Sequence, residues 1–213
     1  MNAEIFNRLH SLRMENDAVG FYHDEIRGRF DSLKGRHGNG TAPKAVAAYQ
    51  LFQTPAEVVA MLIHMLDLKA YERVLEPSAG LGNLIKAIIP FEPCEIVAVD
   101  VNPDCAGELY RQNLAGVTIK QRDFLDMTPA DTGKFDAIAV NPPFHMRSDI
   151  KHVKHAMQFL KPGGRLAAIC MDTHHRREAF ESIASEWIDL PCGAFKESGT
   201  SVGTVMFRLE QKG

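Results

Sequence analysis

The sequence predicts an α/β fold built on a mostly parallel sheet with helices on both faces. Short apolar strands alternate with helical segments between residues 51 and 171, and this βαβ rhythm is typical of parallel strands buried between two helical layers. At the end of the chain, two strand-like segments, 187–195 and 202–209, are joined by only six residues. Because that link is too short for a crossover helix, the last two strands are predicted to pair antiparallel.

Each element has its own local signal. Thr54 is the predicted N-cap of a three-turn helix, with Pro55 at the first helical position and Glu57 at the third. Lys161-Pro162-Gly163-Gly164 is predicted to be a turn. Further helices are predicted at 83–89, 103–113 and from Ser148 or Asp149 to 160, and strands at 73–76, 96–100, 117–119, 137–140 and 165–171.

The chain divides into an N-terminal segment, 1–47, and a main domain, 48–213. Apolar residues at three-to-four spacing in 1–33 predict a helical arm. A basic loop with three glycines follows at 34–41. It either orders on a polyanion or links the arm to the main domain.

Composition narrows the class of protein. With 45% hydrophobic and 24% charged residues in 213, the chain is typical of soluble globular proteins, and a cytoplasmic location is expected because neither a signal peptide nor a membrane-length apolar run is present. The four cysteines form no Cys-x-x-Cys pair, so neither zinc nor a disulfide framework is predicted. The formal charge of −3 does not favour nucleic-acid binding. Basic residues nevertheless cluster at 27–44 and 174–177, either as phosphate contacts or as solvated surface.

Glycines and acids at predicted strand ends indicate a nucleoside ligand. Gly80 and Gly82 follow the first strand, but the third glycine of a dinucleotide-binding turn is missing. Asp100 ends the second strand, where a carboxylate can accept hydrogen bonds from ribose hydroxyls. Asp123 can accept from an adenine amino group, and Phe124 can line the same pocket. The set favours an adenosine-containing ligand without a pyrophosphate.

A second cluster follows the fourth strand. Asn141-Pro142-Pro143-Phe144 ends that strand in a stiff turn, because two prolines remove backbone donors. The turn combines an amide side chain, carbonyl acceptors and an aromatic ring at the sheet edge where open α/β folds bind ligands. We expect it to hold a planar molecule that bears an exocyclic NH2 group.

Taken in order, these segments resemble the class I methyltransferases that use S-adenosylmethionine (SAM), in the branch that methylates amino groups of nucleic-acid bases. Phe52-Gln53-Thr54-Pro55 resembles the segment that contacts the methionine moiety, and 76–82, with Glu76, Ser78, Gly80 and Gly82, resembles the first SAM motif. Asp100, followed by Val101, matches the ribose position, Asp123-Phe124 the adenine side, and Asn141-Pro142-Pro143-Phe144 the catalytic motif.

The resemblance covers about residues 48 to 209, and its segments 149–152, 162–164 and 195–200 are similar to small phage and prophage adenine-N6 DNA methyltransferases. It implies a Rossmann-like, seven-stranded sheet, SAM as cofactor, and methylation of adenine N6 in DNA. Catalysis would rest on Asn141, Pro142 and Phe144. Substrate contacts would come from Pro143, His145, Lys196, Ser198, Gly199 and Thr200.

Two departures from the family pattern bear on specificity. The catalytic motif ends in Phe144 where Tyr is common, which keeps a stacking surface but loses a hydroxyl. The 213 residues also leave no room for a large target-recognition domain. Low sequence specificity is therefore expected, unless residues 1–50, the loop after Phe144 or the C-terminal hairpin supplies recognition.

Alternatives remain at this stage. The same motif serves enzymes that methylate RNA bases, at adenine N6 or guanine N2, and protein glutamine amides. A non-catalytic SAM-binding protein with an anti-restriction or nucleic-acid-binding role is a third hypothesis. His145, His152 and His155 have no acidic or cysteine partner, so surface or substrate contacts are favoured over a metal site. Nucleic acid, with DNA favoured over RNA, is the expected partner, and neither a metal nor a membrane is expected.

Overall fold

A seven-stranded sheet organises the part of the chain that the computed structural model describes, residues 54–142, 148–191, 193–195 and 202–213. The strand order is β3-β2-β1-β4-β5-β7-β6. The first five strands run parallel, while β7 is antiparallel to both β5 and β6. The predicted fold class is thus confirmed. The predicted helical arm at 1–47 lies outside the described residues.

The strands and helices alternate along the chain as the pattern predicts. The strands are β1 (Arg73–Glu76), β2 (Glu95–Asp100), β3 (Val117–Gln121), β4 (Phe135–Val140), β5 (Leu160–Met171), β6 (Glu186–Asp189) and β7 (Thr204–Glu210). The helices are α1 (Ala56–Leu66), α2 (Asn83–Ile88), α3 (Pro103–Gln112), α4 (Pro129–Thr132), α5 (Ser148–Ala156) and α6 (His174–Phe180). Helix α6 is not among the predicted helices, because its sequence indicates only a basic cluster.

Three local predictions were wrong. Pro55, not Thr54, is the N-cap of α1, and no side chain caps that helix. The predicted turn at 161–164 lies inside β5 as an irregularity in its pairing with β4. Gly164 there runs so close to β4 that a Cβ atom would lie 3.1 Å from the Phe135 carbonyl oxygen. Finally, β6 ends at Asp189 rather than 195, shortly before Pro191, which lacks the N–H that would continue the ladder.

Two apolar layers cover the sheet. In β4, Ala137 and Ala139 face the layer of α1, α2 and α3, whereas Ile138 and Val140 face the layer of α5 and α6. This burial on both faces explains the nearly continuous apolar run of the central strands. None of the helices in the described ranges is both long and apolar enough to cross a membrane.

Arg165 fastens the end of α1 to the sheet. Its guanidinium donates to the carbonyl oxygens of Leu66 and Asp67 and pairs with Glu72 at 2.7 Å. The last carbonyls of a helix have no partner within it, and a cation suits the negative end of the helix dipole. The C-terminal end of α1 is therefore held on β5, while its N-terminal end points Thr54 toward the carboxyl edge of the sheet.

Candidate active site

The carboxyl ends of three neighbouring parallel strands bring the predicted site residues together. In the order β2-β1-β4, Asp100 ends the first strand, the 77–82 turn follows the second, and Asn141 follows the third. This edge is where open α/β sheets bind ligands. One cleft can therefore contain both a nucleoside-binding side and an amide.

The glycine turn leaves its backbone open. The N–H of Ala79 donates to the carbonyl oxygen of Val99 at 2.9 Å, which holds the turn on β2. Gly80 has φ +52°, and no atom lies within 4 Å of the position that a Cβ would take. Gly82 has φ +83°, and its Cβ would lie 2.7 Å from Cδ2 of Leu109. Gly82 thus serves close helix packing, and Gly80 leaves space for a ligand.

Asp100 connects the turn to the start of α3. Its Oδ2 accepts from the Gly80 N–H and its Oδ1 from the Asn102 N–H, both at 2.7 Å. Burial raises the pKa of Asp100, although these two hydrogen bonds lower it in part. Each carboxylate oxygen has a second lone pair, so Asp100 retains the capacity to accept from two ribose hydroxyls. Val101 beside it is 54% exposed and offers an apolar surface.

Glu76 is a buried acid whose hydrogen bonds are incomplete. It is 2% exposed and accepts from the Ile85 N–H, while Oε2 has no partner among the described residues. Burial, reinforced by the negative charge of Asp100, raises the pKa of Glu76 well above its ordinary value. An unpaired buried oxygen is costly, so this position suits a ligand that carries a donor or a positive charge. Ser78, in the turn just after it, is half-buried.

Asp123 and Phe124, the two residues predicted to lie on the adenine side, have different environments. Asp123 is exposed and accepts from the Leu125 N–H at 2.9 Å through Oδ1, which leaves Oδ2 for another donor. Phe124 is 2% exposed, and its ring centroid lies 4.9 Å from that of His155 and 5.1 Å from that of Phe159. Phe124 thus packs against α5 and the turn that follows it.

The amide of Asn141 is held at one end by Thr54. Its Nδ2 donates to Oγ1 of Thr54 at 2.6 Å. Within the described ranges Oδ1 has no hydrogen-bond partner, and Asn141 is half-buried. Pro142, which follows, is buried and has no N–H to compete for acceptors. The arrangement provides an oriented acceptor at the end of β4.

Several predicted site residues lie outside the described residues: Phe52, Gln53, Pro143, Phe144, His145, Lys196, Ser198, Gly199 and Thr200. The two histidines of α5 are engaged locally. His152 Nδ1 is 2.8 Å from the Ser148 carbonyl oxygen, and His155 Nε2 is 2.9 Å from that of Met127. Among residues 54–142, 148–191, 193–195 and 202–213, no group of histidines, cysteines and acids could hold a metal ion.

The basic cluster at 174–177 is largely neutralised. Arg176 is buried and forms two hydrogen bonds of 2.9 Å with Asp149. Arg177 pairs with Asp172, Glu181 and Asp189. His174 and His175 are exposed. Both arginines are therefore already paired with acidic side chains and are not available to bind a phosphate. Of the four residues in the cluster, only the two histidines fit the description of a solvated surface.

Two interactions, one at the site and one between α5 and α6, were missed by sequence reasoning. The Thr54–Asn141 hydrogen bond joins residues 87 positions apart, and the Asp149–Arg176 pair joins residues 27 apart. Polar residues beside apolar runs were the only local signal. Cys105 lies behind Asp100, and burial raises the pKa of its thiol to about 12, so it is not a nucleophile at neutral pH.

Relatives of known sequence share parts of this chain. It is 27% identical over 119 residues to a predicted protein N5-glutamine methyltransferase from Methanocaldococcus jannaschii, covering 54% of this chain and 58% of that protein. It is 35% identical over 103 residues to the type II methyltransferase M.VspI from a Vibrio species, covering 44% of this chain and 25% of that protein. The chain thus spans about a quarter to under two thirds of these relatives.

Solved structures agree with the fold. An RNA methyltransferase from Salinibacter ruber, in complex with S-adenosyl-L-homocysteine, superimposes with a TM-score of 0.57 at 14% identity, covering 75% of this chain and 94% of that chain. SAM carries donors and two positive charges. The open backbone at Gly80, the acceptors of Asp100 and Oε2 of Glu76, which has no partner within the described ranges, all fit such a ligand.

The model of one protein family covers most of the domain. It is described as the methyltransferase small domain, and it matches residues 57–194. This range contains the glycine turn, Asp100 and Asn141. The chain therefore belongs to the methyltransferase small domain family and has SAM as its cofactor.

Proposed function

We propose that the protein transfers a methyl group from SAM to the exocyclic amino group of a nucleic-acid base, adenine N6 in DNA, with little sequence specificity. The observation that carries this proposal is the amide of Asn141 at the end of β4, whose Nδ2 is bound to Thr54 and whose Oδ1 has no partner among the described residues. An acceptor at this place suits an NH2 group, which is a pure donor when its lone pair is delocalised.

The chemistry follows from what the chain's own groups can do. SAM supplies a methyl group activated by its sulfonium charge. Oδ1 of Asn141 and the carbonyl of Pro142 accept the two N–H groups of the substrate, which draws its nitrogen toward tetrahedral geometry and orients its lone pair. One C–S bond breaks, one N–C bond forms, and the nitrogen loses a proton to water. Orientation and electrostatics therefore supply the rate enhancement without a general base.

The same residues explain how the two substrates would meet. Asp100 and Glu76 offer acceptors on the β1–β2 side, and Asn141 offers one after β4. A base in duplex DNA must leave the stack to reach an acceptor in such a cleft. Phe144, the last residue of the motif, would stack on the extruded base.

DNA is the favoured substrate polymer because, of the two relatives described above, the one with the higher identity is a DNA methyltransferase. The Vibrio protein, 35% identical over its aligned part, is named a type II methyltransferase, which is a class of DNA methyltransferase. The strands and helices of the described ranges all belong to one sheet and its covering layers, so none of them forms a separate domain that reads a sequence. Low specificity is the corresponding expectation.

A protein glutamine amide is the second candidate acceptor. The archaeal relative, 27% identical over 119 residues, is named as a protein N5-glutamine methyltransferase. A glutamine amide and the adenine amino group are both planar NH2 groups with delocalised lone pairs, so an oriented Asn141 oxygen would serve either. The acceptor must therefore be measured.

The test offers labelled SAM in parallel to unmethylated double-stranded DNA, single-stranded DNA, total RNA and cell protein, followed by mass spectrometry of nucleosides and peptides. We expect N6-methyladenine in DNA. Label confined to RNA would move the function to that polymer, and N5-methylglutamine alone would establish the second candidate. SAM binding without transfer of label to any of these acceptors would contradict the proposal that the protein is an enzyme.

Asn141→Ala is expected to lower transfer by a factor of about 100 or more, because an oriented acceptor that acts in the transition state is lost. SAM affinity should stay within about threefold, since the cofactor acceptors are on β1 and β2. Gln158→Ala, which removes an exposed amide before β5, is the matched control and should retain full activity. Equal loss of transfer and SAM binding in Asn141→Ala would contradict the assigned role.

A further inference from the structure

We propose that Thr54 is a positioning residue that fixes which end of the Asn141 amide faces the substrate. The inference rests on the proposed function and adds to it a residue from outside the catalytic motif. It starts from one contact: Oγ1 of Thr54 accepts a hydrogen bond of 2.6 Å from Nδ2 of Asn141, across 87 positions of sequence. Thr54 is 7% exposed, so water does not readily replace it.

The chemistry of an amide gives this contact its importance. An asparagine side chain has an acceptor oxygen at one end and a donor NH2 at the other. Rotation by about 180° exchanges the two ends and would present NH2 to an NH2 substrate, donor against donor. With Nδ2 held by Thr54, Oδ1 points the other way. A hydroxyl can accept or donate, and here Oγ1 accepts from Nδ2, which leaves Oδ1 as the end of the amide that can accept from the substrate.

Thr54 has no competing task in its helix. It stands just before Pro55, the N-cap of α1, and no side chain forms a capping hydrogen bond there. Replacing its hydroxyl therefore removes no cap. The resemblance places Thr54 on the methionine side of SAM, and in the structure its Oγ1 accepts from Asn141. The SAM Kd of Thr54→Val distinguishes a cofactor contact from the positioning role.

The scaffold holds both partners firmly. Asn141 directly follows β4, a strand flanked by β1 and β5. Helix α1 packs on β4 and β5, and Arg165 binds the carbonyls at its far end. Thr54 is therefore carried on an element with fixed position. A β-branched side chain also has few χ1 rotamers, which favours a constant place for Oγ1.

The test compares Thr54→Val, which keeps shape and loses the hydroxyl, with Thr54→Ser, which keeps the hydroxyl. We expect Thr54→Val to lower kcat about tenfold, the effect of about one hydrogen bond. SAM Kd and the acceptor KM should remain within about twofold, and Thr54→Ser should restore kcat to within about threefold of the native value. Unchanged kcat in Thr54→Val, or a rise in SAM Kd that matches the loss, would overturn the proposal.

A second measurement does not depend on activity. The side-chain NH2 signals of Asn141 in an 15N-labelled protein are identified by their loss in Asn141→Ala. We expect Thr54→Val to shift these signals and speed their exchange with water, and Thr54→Ser to leave them near native. Asn141 NH2 signals that do not move in Thr54→Val would show that the hydrogen bond between Thr54 and Asn141 does not form. Absence of transfer to every acceptor would instead refute the proposed function, while the NMR result still decides the role of Thr54.

Discussion

Asp100 shows how one side chain can hold the fold and still keep acceptors available for a ligand. Its two oxygens accept from the backbone of the glycine turn and of the α3 start, each at 2.7 Å. These bonds favour the charged form, whereas burial raises the pKa of Asp100. The carboxylate is thus held rigid with lone pairs to spare, and a rigid acceptor binds ribose hydroxyls at little entropic cost.

Replacing Asp100 by Asn should weaken SAM binding about 10- to 100-fold, since hydrogen bonds to a charged acceptor contribute about 1.5–3 kcal/mol. Calorimetric titration with SAM measures the change. Asp104→Asn is the matched control, because Asp104 is an exposed acid in the first turn of α3 and its replacement changes the charge equally. Equal affinity of Asp100→Asn and Asp104→Asn would mean that ribose binds elsewhere.

Between elements, a buried ion pair joins the start of α5 to α6. Asp149 is fully buried, and the guanidinium of Arg176 meets both its oxygens at 2.9 Å. Arg176 also donates to Thr173 at 3.1 Å. Helix α5 begins just beyond residues 143–147, which follow Asn141-Pro142 in sequence. The ion pair therefore fixes the start of α5, six residues after Pro142, against α6.

Arg176→Met should lower the free energy of unfolding by about 3–5 kcal/mol, because it leaves the charge of Asp149 buried without a partner. Urea unfolding measures the loss. Arg177→Met is the control on the same helix, and it should cost much less because Arg177 and its acidic partners are partly exposed. Adding Asp149→Leu to Arg176→Met should recover stability. Similar losses for the two arginines would show that the pair has no special role.

Over the described part of the molecule, the fold is confirmed where the sequence signal is local. The alternation of strands and helices, the acid at Asp100 and the amide at Asn141 are each visible within a few residues, and the sheet places their strand ends together. The role of Thr54 was not visible, because its partner lies 87 positions away and a Thr-Pro pair resembles a helix cap. The burial of Arg176 was missed for the same reason: a run of four basic residues hides which of them meets an acid.

The stability of the whole fold should depend on pH through Glu76. Burial and Asp100 raise the pKa of Glu76 well above 4.5 in the folded protein, so in the range between its unfolded and folded pKa only the unfolded state releases this proton. The contribution of protonated Glu76 to the free energy of unfolding is therefore full below the pKa of Glu76 in the unfolded chain. It is lost as pH rises toward the pKa of Glu76 in the folded protein, and the free energy of unfolding falls by up to about 1.4 kcal/mol per pH unit.

Glu76→Gln should remove this slope, because Gln imitates the protonated acid and still accepts from the Ile85 N–H. Without SAM, urea unfolding from about pH 5 to 8 should therefore show native stability falling relative to the variant as pH rises. Glu57→Gln, an exposed acid in the first turn of α1, should run parallel to the native protein. Parallel curves for Glu76→Gln and the native protein would mean that Glu76 has no raised pKa.

SAM carries positive charge and should therefore favour the ionised form of Glu76, so that binding of SAM releases a proton. Calorimetry in buffers of different ionisation enthalpy should detect this proton with the native protein. The Glu76→Gln variant should not release it.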